Sequence, residues 1–379
     1  LNEHGEIMQE TVRWVEVAWA DEDPGSRVKM LEKLYRAMKQ HGRAHPNMYA
    51  ENVEAHFSDL PSELKETLED TMRYGVHTGI PTPEQTTHSR SSMTARHNSA
   101  AVWKHLRKFV ANGWLRAYPP SVAWVLAHWK LRMSSTHFVE SSAYKKERLV
   151  SDLGNPGDAG ADQDANSLSP DLAYSQVQAD YIDDVAEAIC QDLTTKNITE
   201  ELLAAIKADI KAAFMQVPLH VNDIGSLCME WEGWHFVFVR TPFGWKWATH
   251  TFSVFTAALK SKITNFNKNG FHKLEVMQPW RRMSRRYAML ARVQSTLGKG
   301  LARDTFLKRA GLVWSSFLAF CYVDDAYGLS ELLGGRPQTL AHVLSTAGSL
   351  LMGFGAWSIS KVEEDGFYAW LHKFTGIVI

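Results

Sequence analysis

Residues Phe320-Cys321-Tyr322-Val323-Asp324-Asp325-Ala326-Tyr327-Gly328 constrain the fold more than any other stretch of this chain. Apolar residues run up to two adjacent aspartates, and apolar residues and a glycine follow. That is the pattern of a β-hairpin carrying two carboxylates at its tip. Two neighbouring negative charges between hydrophobic strands are costly unless a cation sits between or above them. A divalent metal meets that need, and hard carboxylate oxygens point to magnesium. Read in isolation, a solvated turn that happens to contain Asp-Asp gives the same pattern, so the decision rests on the remainder of the chain.

The 379 residues are 45% hydrophobic and 22% charged, enough for a sizeable core and too apolar for wholesale disorder. The length suits one large domain or two ordinary ones. A formal net charge of −1 carries no global signal for nucleic acid, so the local distribution of charge matters more. The three cysteines, Cys190, Cys228 and Cys321, show no C-x-x-C spacing. Such a sparse, odd set suits a reduced intracellular compartment, cytoplasmic or nuclear. The polar first residues, Leu1 to Glu6, are expected to hold no signal peptide, and a start at Leu is expected of a fragment. No apolar run is long enough to span a bilayer, so no membrane partner is expected.

Residues 1–101 read as a mainly helical region of unknown role, with apolar spacings near three and four at Val12-Trp14-Val15 and at Leu31-Leu34-Tyr35-Met38. Gly79 to Ser92 is a Thr/Ser/Pro-rich loop. Val102 to Val110 reads as an amphipathic helix ended by Asn112-Gly113, and Trp114 to Pro120 as an extended piece. Lys145 to Leu153 is strand-like with cations entering it, which also fits a solvated basic edge strand. Gly154 to Asn166 is a Gly/Asp/Ala-rich loop, and Ile182 to Leu193 a helix. Ala205 to Ile210 reads as a short buried strand bearing Asp209, continued by Phe214 to Leu219. Trp234 to Arg240 alternates as a strand, and Trp245 to Ile263 has helical apolar spacing.

Residues 260–310 are the one strongly biased segment. They hold thirteen Lys/Arg, including Lys262, Arg281, Arg282, Arg285 and Arg286, against Glu275 and Asp304 alone. Trp280, Tyr287 and Phe306 are interleaved with them. Cations with aromatics suit a nucleic-acid backbone and its bases, while a solvated helical face would have the same composition. After the Asp-Asp hairpin come a helix over Thr339 to Phe354, a strand at Trp357 to Val362, and a closing hairpin near Gly376.

In order, the pieces are a strand with Asp209, a hairpin, a helix, the Asp324-Asp325 hairpin, a helix and a strand. This order suits a split ferredoxin-like antiparallel sheet in an α+β fold. Adjacent central strands in such a sheet would bring Asp209 to the Asp324-Asp325 pair, although more than a hundred residues separate them. Three converging carboxylates would suit two magnesium ions and an in-line phosphoryl transfer.

From about residue 102 to 379 the sequence resembles the reverse transcriptases, particularly those of retrotransposons. Tyr322-Val323-Asp324-Asp325 matches the family's Tyr-x-Asp-Asp box, and Asp209 to Leu219 is similar to its first catalytic motif. Thr241 to Ala248 is similar to the Pro-Phe-Gly motif before the template-contacting helix. Lys146 to Asp152 resembles the fingers motif. Ser360-Lys361-Val362 and Phe374 to Ile379 resemble the last palm motifs, including the primer grip. Six motifs in the right order make a strong match.

The resemblance implies a polymerase palm at 205–379 with a basic insertion at about 264–310, a fingers-like region with a connecting loop at 102–204, and the helical region before it. A thumb is expected to be absent. It implies Asp209, Asp324 and Asp325 as ligands of two Mg2+ ions, with Mn2+ as a substitute. It places Phe214 beneath the sugar, where a bulky ring would reject a 2′-hydroxyl. It places Lys146 and Arg148 on the triphosphate, Phe243 and Gly244 against the nascent base pair, and Lys361 as proton donor to pyrophosphate. The implied activity is RNA-directed DNA synthesis from a primer 3′-OH. Its partners are an RNA template, a DNA primer or product and deoxynucleoside triphosphates, with further polyprotein domains possible.

Three departures keep a second reading open. Ala212 stands where the family commonly has a second acid, the basic segment lengthens the palm, and the 154–166 loop interrupts the fingers motif. A decayed or domesticated nucleic-acid-binding relative would show the same features. An RNA-dependent RNA polymerase is disfavoured by the aromatic at Phe214. The basic segment generates the first prediction. Neutralising Arg281, Arg282, Arg285 and Arg286 together should flatten the salt dependence of nucleic-acid binding, since each lost phosphate contact removes about 0.9 from the log–log slope. Fluorescence anisotropy titrations across a salt series measure it, and an unchanged slope would identify a merely solvated face.

Overall fold

The computed structural model describes residues 50–87, 90–118, 120, 130–141, 146–154, 164–171, 186–187, 190–191, 203–264, 318–322, 325–331, 344, 347–348, 350–352, 358, 373–374 and 377–378. Helices α1 (Ala50–His56), α2 (Ser62–Tyr74), α3 (Met93–His97) and α4 (Ser99–Ala111) precede strands β1 (Leu115–Tyr118), β2 (Met133–Ser141) and β3 (Lys146–Asp152). A one-turn helix α5 (Ala165–Leu168) follows, then β4 (Leu203–Asp209), β5 (Cys228–Trp231), β6 (Trp234–Phe238) and helix α6 (Ala248–Thr264). Strands β7 (Leu318–Tyr322), β8 (Asp325–Glu331), β9 (Lys373–Phe374) and β10 (Ile377–Val378) complete the described elements.

The chain mixes α and β structure in two compact units that interleave along the sequence. Among the described residues, one takes those within 71–174 and 214–251, and the other those within 50–70, 175–213 and 252–379. The first unit is built on a five-stranded sheet in the order β1-β6-β5-β2-β3. β5 and β6 form a hairpin across Glu232-Gly233, both with positive φ, which is the two-residue turn whose twist suits a hairpin. β2 joins β5 in parallel, Met133 opposite Cys228, and makes the sheet mixed. Helix α4 ends at Asn112, as its amphipathic pattern and Asn112-Gly113 signal suggest. Its buried Val102, Leu106 and Phe109 form one stripe. Trp103 meets Trp234 and Phe236 edge-on, at 5.9 and 6.0 Å between centroids. At the turn, Glu232 accepts hydrogen bonds from Ser99 Oγ (2.5 Å) and Trp103 Nε1 (2.8 Å), which hold its carboxyl below the usual range and tie the hairpin to α4.

The second unit contains a three-stranded antiparallel sheet in the order β4-β8-β7. In the same unit Phe252 and Phe255 of α6 are fully buried, with their rings stacked at 5.9 Å. Each such ring contributes roughly 2–3 kcal/mol by leaving water.

Two expectations from the sequence are corrected. Among the described strands, the one at Trp234 and the Asp-Asp hairpin lie in different sheets. Hydrogen bonding pairs β6 with β1 and β5, and pairs the aspartate strands with one another. Phe214 to Leu219 does not continue the Asp209 strand either. A turn at Lys211-Ala212, with Ala212 at φ +49°, ends the strand, and Ala213–Gln216 forms a 3-10 helix. Met215, Val217 and Leu219 are buried, and strand-like pairing there is confined to isolated bridges of Leu219 with Val76 and Pro218 with Arg240.

Lys262 is a third correction, because it belongs to the cation-rich stretch yet lies in the core. Its Nζ donates to Asp59 Oδ1 at 3.1 Å, with side-chain exposures of 10% and 11%, and sits 5.6 Å over the Phe57 ring. Removing one member of a buried pair strands the other charge in low dielectric. Asp59→Ala is therefore expected to cost about 3 kcal/mol, read from the urea unfolding midpoint. A loss below about 1 kcal/mol would mean that water screens the pair as it screens surface bridges.

Candidate active site

β4 and β8 run antiparallel for seven residues, and their register ends with Asp209 directly opposite Asp325. Residues directly opposite in an antiparallel pair share one face of the sheet, with Cα atoms about 4.5–5.5 Å apart. β8 is fixed by its other neighbour, since Tyr322 of β7 pairs with Asp325 and leaves a two-residue connection, Val323-Asp324. The hairpin read from the sequence is therefore present, with Asp325 at its first paired position. Asp324 lies outside the described residues. Small side chains pack the sheet beside the carboxylates: Ala208 pairs with Ala326, Ala326 with Cys321, and all three are buried.

Asp209 is only 6% exposed, and its carbonyl accepts a hydrogen bond from Ser358 N at 2.8 Å. Like charges directly opposite on neighbouring strands destabilise a sheet. A buried carboxylate is tolerated when protonated, hydrogen-bonded or beside a cation. The register thus brings two acids that are distant in sequence to one end of the sheet.

The other unit holds a second cluster of the expected residues. Phe214 and Phe243 meet edge to face, their centroids 5.3 Å apart, and Phe243 is 37% exposed. Thr241 Oγ1 donates to the Phe214 carbonyl, which ties the 3-10 helix to the Pro242-Phe243-Gly244 turn. Gly244 has φ +102°, and a Cβ on it would strike the Ser151 carbonyl oxygen of β3. Only glycine suits both conditions. The turn thus lies against the strand that carries Lys146 and Arg148. β3 is an edge strand paired to β2, with Ser141 opposite Lys146 and Val139 opposite Arg148, and Arg148 is exposed. Two residues apart on one strand, Lys146 and Arg148 share a face.

Sequence reasoning missed the residues that hold this turn. Asn166 Nδ2 donates to Gly244 O and its Oδ1 accepts from Lys246 N, both at 2.9 Å. Trp245 Nε1 donates to Ser169 Oγ, and Trp247 Nε1 to Pro170 O, again at 2.9 Å. Asp164 caps α5 by accepting from Ser167 N at 2.8 Å and so sets Asn166 in place. Asp-x-x-Ser is a helix-start signal, but it sat inside a stretch that reads as plain loop. Arg240, just before the turn, is 3% exposed with Nε and Nη1 unpaired; burial, and then Arg116 nearby, lower its guanidinium to about 9. Lys361, Arg281, Arg282, Arg285 and Arg286 lie outside the described residues.

No protein-family model matches the chain, and no curated protein matches it. Among solved structures, a foamy viral protease–reverse transcriptase in complex with double-stranded DNA is similar to it, with a TM-score of 0.46 and 14% identity. The likeness covers 85% of this chain and 44% of that one, so the chain spans less than half of that protein's length. No helix among the described residues is long and apolar enough to cross a membrane.

Gly244→Ala is expected to destabilise the fold by about 2–3 kcal/mol, because the methyl group meets backbone and the dihedral disfavours any Cβ. Urea denaturation followed by tryptophan fluorescence measures it. A cost under about 0.5 kcal/mol, typical of a surface substitution, would show that the turn does not depend on its approach to β3.

Proposed function

We propose that the chain is a template-directed nucleotidyltransferase of the reverse-transcriptase kind, extending a primer 3′-OH with deoxynucleotides on an RNA or DNA template. One observation carries this reading: Asp209 and Asp325, distant in sequence, stand opposite each other at the end of β4 and β8. The ordered motifs around them supply the rest.

In this reading Asp209 and Asp325 hold Mg2+, or Mn2+ in its place, with Asp324 as the third carboxylate. The metal, when bound, supplies a Lewis acid for in-line phosphoryl transfer. The three-stranded sheet corresponds to a polymerase palm and β2-β3 to fingers. Lys146 and Arg148 neutralise the triphosphate, and Arg148 offers a planar fork for phosphate oxygens. The Phe214 ring screens the sugar against a 2′-hydroxyl. Phe243, supported edge-on by Phe214, offers its exposed ring to the nascent base pair, and Gly244 lets the turn lie close to β3. Lys361 delivers a proton to the departing pyrophosphate. The basic segment around Arg281, Arg282, Arg285 and Arg286 grips template or product.

A nucleic-acid-binding role without catalysis is the second reading. Ala212 favours it, because this apolar residue in a left-handed turn stands three places after Asp209, where the resembled family commonly has an acid. Primer extension with Mg2+ separates the two. Asp209→Asn should reduce deoxynucleotide incorporation about 100-fold or more, as expected for loss of a metal ligand worth several kcal/mol in the transition state. Equal extension by both proteins would overturn the assignment of Asp209. Magnesium-independent nucleic-acid binding without extension by the unaltered chain would favour the second reading.

A further inference from the structure

We infer that His77, His220 and Asp223 form a binding site for a borderline-soft divalent cation of the zinc class, separate from the carboxylate pair. Their ligand atoms lie within 4.8 Å of one another. His77 Nδ1 is 2.8 Å from Asp223 Oδ2, and the two imidazoles face each other, 3.6 Å between centroids and 31° from coplanar. The backbone beneath them is clipped together. Val76 N donates to Pro218 O and His220 N to Val76 O, both at 2.8 Å. His220 caps the short 3-10 helix Val221–Asp223. Ser226 Oγ donates to the Asp223 carbonyl at 2.7 Å and lies 3.2 Å from Thr78 Oγ1. Both sides of the cluster are thus held before any ligand arrives.

A hydrogen-bonded His–Asp pair accounts for His77 and Asp223 alone. The second imidazole, His220, stacks on His77 and brings a third donor to the same point. A shared cation bound through ring nitrogens would engage all three residues. Two imidazoles and one carboxylate are the donor set of zinc rather than magnesium, which prefers oxygen alone. Tetrahedral bonds of about 2.0–2.2 Å need the donors to draw a little closer than they stand, and the His77 side chain, 60% exposed, has room to turn. The cation would replace the hydrogen between His77 Nδ1 and Asp223 Oδ2, that nitrogen's proton passing to Nε2. His220 would offer Nδ1 by releasing the exposed Asn222 N–H, now 3.2 Å away, to water. A fourth position stays open for water. Such a site staples residues 75–78 to 219–226, and nothing in the proposed chemistry at Asp209 requires it.

The test uses the full chain stripped with a chelator and titrated with Zn2+ against a competing fluorescent chelator. The probe is the metal alone, and Co2+ serves as a spectroscopic substitute. One equivalent should bind to the unaltered chain at least about 10-fold more tightly than to His77→Ala/His220→Ala, the scale of losing zinc ligands or their supports. Co2+ should give the visible bands of a tetrahedral site only in the unaltered chain. Zn2+ should also raise the melting temperature by a few degrees, and not in His77→Ala, whose exposed side chain can be removed without disturbing a core. Equal uptake by the double variant, or an absence of saturable binding, would overturn the site.

Discussion

Two carboxylates in register on neighbouring strands set the terms for this molecule. Asp209 and Asp325 lie opposite each other because β4 and β8 pair over seven residues without a slip. A shift of one residue would send either acid to the other face of the sheet. The two-residue connection from Tyr322 to Asp325 leaves little freedom for such a shift. Ala208, Ala326, Ala319 and Cys321 keep the neighbouring positions small and buried. Local turn geometry and small-residue packing thus fix the register that sets the two acids opposite each other.

The parts of this arrangement that were legible in sequence depend on short-range signals. The Asp-Asp hairpin could be read because apolar runs flank a polar pair, and α4 because its apolar spacing ends at Asn112-Gly113. The five-stranded sheet was not legible, because its parallel β2–β5 contact links distant segments. Ser134 Oγ, for instance, donates to Cys228 O across 94 residues. Phe214 misled because an apolar run this short fits a 3-10 helix as well as a strand, and burial from Met215 to Leu219 is continuous rather than periodic. Lys262 misled for another reason: charge counted along a sequence does not show which way a helix turns its side chains. Its partner Asp59 lies 203 residues earlier.

The Pro242-Phe243-Gly244 turn shows how much positioning rests on residues without chemistry of their own. Asn166 satisfies one carbonyl and one amide of the turn, and the indoles of Trp245 and Trp247 reach back to Ser169 and Pro170. These bonds fix a backbone that would otherwise have no regular partner, so the exposed Phe243 ring is presented from a stiff base. The segment that supplies them is a single turn of helix inside a loop. Composition marks such a segment as expendable, and only the bonds reveal its part.

The interleaving of the two units carries a consequence for biosynthesis. Leu203–Asp209 pairs only with Asp325–Glu331 among the described strands. A ribosome at 5–20 residues per second exposes β4 on the order of ten seconds before its partner is made. For that interval a strand with apolar residues and a full row of unpaired amides and carbonyls waits without a neighbour, a state prone to wrong pairing. Neither unit is complete when its first segment appears. Recovery of this protein from expression should therefore depend on elongation rate, temperature and chaperone supply more than its final stability would suggest.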